Sequence, residues 1–430
     1  MTLTYFWIFI FLMAAGAPIV FALLIAPGAS LFLDGEQHFY KALLSRFYNG
    51  MDSFPLMAVP FFILAGELMN SAGITRSIVH FSQSLVGHVR GGLAQVNIVS
   101  SILFAGLSGS AVADTSALGK MLISSMQENG YSRKFAAAIT AASSVIGPII
   151  PPSGIMIIYA FIMNVSVSGL FAAGLVPGLM IAFGLMGVTS FLARKRDYPV
   201  AGRKATFKER TEAFKLSAPA IMTPVILLGG ILGGVFTPTE AAAVASAYAL
   251  FVGMFFLKTV KPKDLAGICT SAALQSGVIL FLVGAALTFA WIITVSGMAQ
   301  TIAEAMFGIT DNILLLLLML NLFLFFVGMF LDAGPAIMIL GPVLAPVFIP
   351  LGIDPLHFAI VMCVNVTVGL ATPPMGLVLF VAASVSGEKV ESIAKEMLPF
   401  LAVEVLVIFL ITYFPALSLT LPRVLGLAGS

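Results

Sequence analysis

Two stretches of this sequence combine residue types that free backbone oxygens inside an apolar helix. Gly147-Pro-Ile-Ile-Pro-Pro-Ser-Gly and Gly369-Leu-Ala-Thr-Pro-Pro-Met-Gly each place adjacent prolines within a long apolar run. Proline deletes a backbone donor and bars the preceding residue from helix, so each pair should unwind about a turn. Carbonyls freed in this way are hard oxygen ligands suited to a bare alkali cation, and an exposed helix N-terminus offers N–H groups and partial positive charge to an anion. Upstream of each break lies a glycine-containing interruption, Gly106-Leu-Ser-Gly-Ser and Gly328-Met-Phe-Leu-Asp-Ala-Gly-Pro. Together they give a first candidate cation site at Ser108, Ser110, Gly147, Ile150 and Pro152. The second draws on Gly328, Asp332, Gly369, Thr372 and Met375. An anion held between them would meet Ser108, Gly109, Asp114, Ser153, Asp332, Ala333 and Pro373.

Such breaks need elements that hide them from lipid. Of 430 residues, 60% are hydrophobic and 9% charged, against roughly 25% charged in a soluble domain. Apolar runs at 3–33, 167–192 and 398–421 meet or exceed the ~20 residues that a helix needs to cross a bilayer core. They are apolar on every face, which excludes the alternating pattern of a membrane β-barrel. The class is therefore an all-α integral membrane protein. The first run has no charged segment ahead of it and reads as a retained first helix. Net charge is only +2 and no long basic tail is present, so nucleic acid is not an expected partner, whereas membrane lipid is. Cys269 and Cys363 lie in apolar segments without metal-ligand spacing and read as small buried residues.

Residues 194–215 hold Arg194, Lys195, Arg196, Arg203, Lys204, Lys208, Arg210 and Lys215, a basic loop that the positive-inside rule puts in the cytoplasm. Lys258, Lys261 and Lys263 mark a second, with two helices between, turning at the proline within 236–239. Counting spans backwards puts the 127–134 turn, with Arg133 and Lys134, on the same side. The N-terminus is then expected in the cytoplasm and the C-terminus in the periplasm.

An internal repeat underlies the paired motifs. At an offset of 222 (328 − 106), Gly106, Ala111, Gly119, Gly130 and Gly147 match Gly328, Ala333, Gly341, Gly352 and Gly369. Pro151, Pro152 and Gly154 then match Pro373, Pro374 and Gly376 without a gap. A weaker match, Asn70-Ser-Ala-Gly-Ile with Thr294-Val-Ser-Gly-Met, needs a two-residue shift. The basic 127–134 turn corresponds to 349–357, which has neither Lys nor Arg, and basic 71–90 corresponds to acidic 294–311. The halves are thus expected to be inverted, the arrangement that supports alternating access. The first repeat is expected over 1–193, with a re-entrant hairpin at 93–126 and a broken helix at 135–163. The second covers 216–430, with its hairpin at 313–348 and broken helix at 358–385.

Broken backbone at membrane depth is tolerated only inside protein or beside a water-filled cavity, so all four breaks should meet. A glycine or proline in a membrane helix is often only a kink, and a serine often bonds its own helix; the paired register argues for more. Asp114 and Asp332 are the stronger signals, because an ionisable residue within a span is costly. Glu67, Glu240 and Glu404 are expected to cap or pack helices.

With these features, the chain resembles the large membrane subunit of tripartite ATP-independent periplasmic (TRAP) transporters, across essentially its whole length. Gly106-Leu-Ser-Gly-Ser-Ala-Val-Ala-Asp and Gly147-Pro-Ile-Ile-Pro-Pro-Ser carry the match. The resemblance implies an elevator-type carrier of the ion-transporter superfamily in the bacterial inner membrane. Its coupling ion would be sodium, bound where each hairpin tip meets the following unwound helix, and it would use neither ATP nor an organic cofactor. It implies a small membrane subunit of about four helices, expected here as a separate chain, and a periplasmic substrate-binding protein. Substrates of the family are carboxylates such as C4-dicarboxylates and sialic acid.

Two other readings compete. A stand-alone sodium/divalent-anion symporter would share the repeat and hairpins. An intramembrane protease would use Gly106-Leu-Ser-Gly as a rhomboid-like nucleophile motif, but that needs a base beside the serine. His38, His80, His88 and His357 sit in or beside expected loops, and Phe330 stands where the second hairpin would need Ser108.

Overall fold

A computed structural model describes residues 4–200 and 203–427. Among the described residues every named element is helical, and seven single helices are long and apolar enough to cross a membrane. The chain opens with α1 (Thr4–Ala14) and α2 (Ile19–Leu33), followed by α3 (Tyr40–Met51) and α4 (Ala58–Ser71), which meet at a bend of 52°. Next comes α5 (Ile74–Val86). A hairpin follows, α6 (Gly92–Ser108) with α7 (Ala111–Glu128), then the broken helix α8 (Arg133–Ser144) and α9 (Gly154–Met163), and the long α10 (Val167–Lys195). Helices α11 (Phe207–Leu232) and α12 (Pro238–Phe251) turn back on each other, with Thr237 and Glu240 closing a capping box.

The same order then recurs. The 35-residue α13 (Pro262–Ser296) and α14 (Met298–Phe307) echo α4 and α5. The joints between these helices are Gly73 and Gly297, at φ 73° and 72°, a left-handed conformation that glycine adopts without a Cβ clash. The second hairpin is α15 (Ile313–Phe330) with α16 (Ala333–Phe348), and the second broken helix is α17 (Pro355–Gly369) with α18 (Leu377–Ser386). The chain closes with α19 (Val390–Tyr413) and α20 (Ala416–Val424). Each repeat thus holds two helices joined by a short turn, followed by two helices separated by an unwound segment.

Contacts at the ends of the spans fix which face each element leaves from. Arg90 pairs with Asp197 at 3.1 Å, and Glu396 is shared by Arg196 and by Lys134, the latter at 3.7 Å. The Ser217 hydroxyl donates to the Ser77 carbonyl at 2.6 Å, tying α11 to α5. The first hairpin therefore rises from the basic face. At the far end of α13, Tyr5 and Ser296 share a 2.7 Å hydrogen bond, and α14 follows directly. The second hairpin rises from that opposite face, so the repeats are inverted. Replacing Glu396 with alanine should lower stability by about 1–2 kcal/mol, between the values for exposed and buried ion pairs, read by thermal unfolding in detergent.

Several expectations are corrected here. The 3–33 run is two helices, not one span: Thr4 Oγ1 donates to Asp34 Oδ1 at 3.5 Å, so α1 and α2 start and end on the same face. The basic stretch 194–215 is only partly loop, because Lys208, Arg210 and Lys215 ride on α11. The 398–421 run is shifted: α19 begins at Val390 and a separate α20 follows Pro415. Cys363 is buried, but Cys269 is on the outer surface of α13.

Each hairpin is fastened to its broken helix by polar side chains in the apolar interior. Asn97 Nδ2 donates to Thr140 Oγ1 at 2.6 Å, Ser101 donates to Ser143 at 3.0 Å, and Thr115 donates to Ser144 at 2.7 Å. In the second repeat Asn365 Nδ2 donates to Asn321 Oδ1 at 2.8 Å, and Thr412 donates to the same oxygen at 3.1 Å. Each such bond contributes about 0.6 kcal/mol on average in a membrane. Their joint effect is to hold tip and break in register.

Candidate functional site

The first hairpin turns at Gly109, φ 58°, and Ser110 caps α7 by accepting from the Ala113 N–H at 3.4 Å. A Cβ on Gly109 would lie 3.3 Å from the Pro152 carbonyl oxygen and 3.4 Å from the Gly154 nitrogen. The tip therefore rests on the unwound segment. Ser153 caps α9, accepting from Met156 N–H at 3.4 Å, and is fully buried. In the second repeat Gly328 and Gly369 pack backbone to backbone, and the Gly376 N–H donates to the Met329 carbonyl at 3.0 Å. The Pro151–Pro152 and Pro373–Pro374 peptide bonds are both cis. Asp332 precedes α16 as its N-cap residue, its carbonyl accepting from Ala336 N–H at 3.1 Å.

A cavity of about 560 Å³ joins these parts. Gly109, Ser110 and Pro152 enter it from the first repeat, Asp332 and Ala333 from the second. The N-termini of α7 and α16 both open into it, each carrying roughly half a positive charge. No Lys, Arg or His lines it among the described residues, so an anion would be held by helix ends and any co-bound cation. The two carboxylates on its wall, Glu67 and Asp332, suit cations.

The other expected residues lie around this cavity rather than on it. Asp114 is fully buried, its carboxylate set over Gly147 so that a Cβ there would overlap it. Ile150 packs against Gly178 of α10. Thr372 is buried and donates to the Val368 carbonyl at 2.9 Å. Pro373 is partly buried, and Met375 is exposed beyond it. The Ser108 side chain falls outside the described residues.

Sequence reasoning missed the facing wall. Glu67 and Asn70 of α4, Thr223 of α11 and Gln275 of α13 all line the cavity. Gln275 Nε2 donates to Glu67 Oε1 at 2.6 Å. Glu67 was expected to join helices and does so; its place on the cavity needed the tertiary fold. Glu404, also expected to pack, is fully buried in α19.

Residues 6–417 match the family model described as "Tripartite ATP-independent periplasmic transporter, DctM component". The chain is 41% identical over 415 residues to the sialic acid TRAP transporter large permease protein SiaM of Vibrio cholerae, covering 96% of each. It is 36% identical over 392 residues to the C4-dicarboxylate TRAP transporter large permease protein DctM of Pseudomonas aeruginosa, covering 90% of this chain and 91% of that one. Its fold is similar to the crystal structure of the Alcanivorax borkumensis YdaH transporter, with a TM-score of 0.65 at 17% identity over 92% of this chain and 90% of that one.

Proposed function

Because the chain belongs to the DctM component family of tripartite ATP-independent periplasmic transporters, we propose that it uses a sodium gradient to drive uptake of a small organic anion. Its relatives are transporter permeases, so this is a membrane transport subunit and not an enzyme. The substrate belongs to the sialic acid or C4-dicarboxylate class, delivered by a periplasmic binding protein to a complex of this chain with a small membrane subunit. The basic face lies in the cytoplasm of a bacterial inner membrane, and Thr4 and the end of α20 lie toward the periplasm.

One observation carries the reading: a single cavity receives both hairpin tips, two helix N-termini and the Asp332 carboxylate. Oxygen donors of this kind fit a hard alkali cation. The Asp332 carboxylate, with backbone near Gly328, Gly369 and Thr372, would hold one sodium ion, and backbone near Ser110, Gly147, Ile150 and Pro152 another. The substrate carboxylate would sit between the N-termini of α7 and α16.

An elevator mechanism is supported by how the hairpin meets the helices around it. A Cβ on Gly66 of α4 would lie 2.9 Å from the Leu107 carbonyl oxygen, and one on Gly106 would overlap Pro224 of α11. Small residues let the backbones approach closely there, so the hairpin meets α4 and α11 across smooth surfaces with no large side chain at these two points. In this mechanism the hairpins and broken helices move past α4, α11 and α13.

Labelled sialic acid or succinate should accumulate in proteoliposomes under an inward sodium gradient, with a Hill slope for sodium clearly above one. Equal uptake under a potassium gradient would contradict sodium coupling, and a slope near one would contradict paired sites.

A further inference from the structure

We propose that Glu67 and Gln275 select the substrate's uncharged end, favouring a monocarboxylate with a hydroxyl-rich body over a dicarboxylate. This rests on the reading of the cavity as the substrate site. Both residues come from α4 and α13, outside the hairpins and broken helices, and both line the cavity.

Their hydrogen bonds decide what they present. Gln275 Nε2 donates to Glu67 Oε1 at 2.6 Å and to Ser271 Oγ at 3.1 Å. A carboxylate accepts only, so it fixes which end of the Gln275 amide faces it. With both Nε2 hydrogens engaged, what the pair has left to offer a ligand is acceptors, the Gln275 carbonyl oxygen and the second Glu67 oxygen. Around them the wall is apolar, including Phe62, Ile63, Val278 and Leu282.

The two sides of the cavity therefore have opposite character. Helix N-termini attract a carboxylate, and the α4–α13 wall offers acceptors and negative charge. A sugar acid fits both, with its carboxylate at the helix ends and its hydroxyl hydrogens on Glu67 and Gln275. A C4-dicarboxylate would bring its second charge to Glu67, where, among the described residues, no basic side chain lines the cavity to offset the repulsion.

The test is direct ligand binding to the purified membrane complex in sodium buffer, without the binding protein, so that selection upstream does not enter. Sialic acid, gluconate and succinate are titrated against wild type, Glu67→Gln and Gln275→Leu. Wild type should bind the two hydroxylated acids at least tenfold more tightly than succinate. Glu67→Gln should compress that ratio to within about threefold, and Gln275→Leu should move it in the same direction. An unchanged ratio in both variants, or tighter binding of succinate by wild type, overturns this assignment while leaving the transport site standing. Failure of all three acids to bind wild type overturns the transport-site reading and this proposal with it.

Discussion

Asp332→Asn should raise the sodium concentration for half-maximal uptake by roughly 30- to 150-fold. That is the scale of about 2–3 kcal/mol for losing a hydrogen-bonded or coordinating charged group. Asp332 lines the cavity, and asparagine caps a helix about as well as aspartate, so the substitution removes a charge without uncapping α16. The amide keeps the volume, and thermal unfolding should stay close to wild type. Asp114→Asn is the contrast. Asp114 is fully buried over Gly147, beside the other proposed cation site, and does not line the cavity, so its loss should lower stability where Asp332→Asn does not. Half-saturation of Asp332→Asn within twofold of wild type would remove this residue from the sodium site.

Gly369→Ala and Gly328→Ala should each lower stability by about 1–3 kcal/mol, the usual cost of forcing a methyl into a packed interior, and reduce uptake at least tenfold. A Cβ on Gly369 would lie 2.6 Å from the Gly328 backbone, and one on Gly328 2.6 Å from the Val366 carbonyl oxygen. The obstacles are backbone, which cannot rotate aside as a side-chain end can. Separating hairpin from break displaces the donors of the second cation site, so transport should fail beyond what the stability loss explains. Gly334→Ala is the control: nothing lies within 4 Å of its Cβ position, although it lines the same cavity. Uptake and thermal unfolding of the three variants check this. A Gly334 variant as impaired as the other two would show general sensitivity of the site to methyl groups rather than backbone contact.

The turns and breaks were legible because glycine permits, and proline enforces, departures from helix wherever they occur, and duplication showed the same pattern twice. The inversion was legible because charge marks the ends of spans. The α1–α2 pair was hidden because its turn, Gly16-Ala-Pro18, contains no polar residue to interrupt an apolar run already long enough to cross. The start of α19 was hidden because Glu391, Lys395 and Glu396 lower the local hydropathy of a helix that does continue into the membrane.

The cavity was only half legible. Gly109, Ser110, Pro152, Asp332 and Ala333 belong to broken segments whose chemistry is local, so the sequence pointed to them. Glu67, Asn70, Thr223 and Gln275 belong to unbroken helices, and only the crossing of α4, α11 and α13 beside the hairpins brings them there. A lone Glu in an apolar helix does not tell from sequence whether it meets a cavity: Glu67 lines one, whereas Glu404 is fully buried in α19.

The most direct test is uptake of labelled sialic acid and succinate into proteoliposomes holding this chain with its small membrane subunit. It is run with and without the cognate binding protein, under an inward sodium gradient. Uptake that needs both the gradient and the binding protein is the predicted result, whereas sodium-driven uptake by the chain alone would contradict a tripartite mechanism.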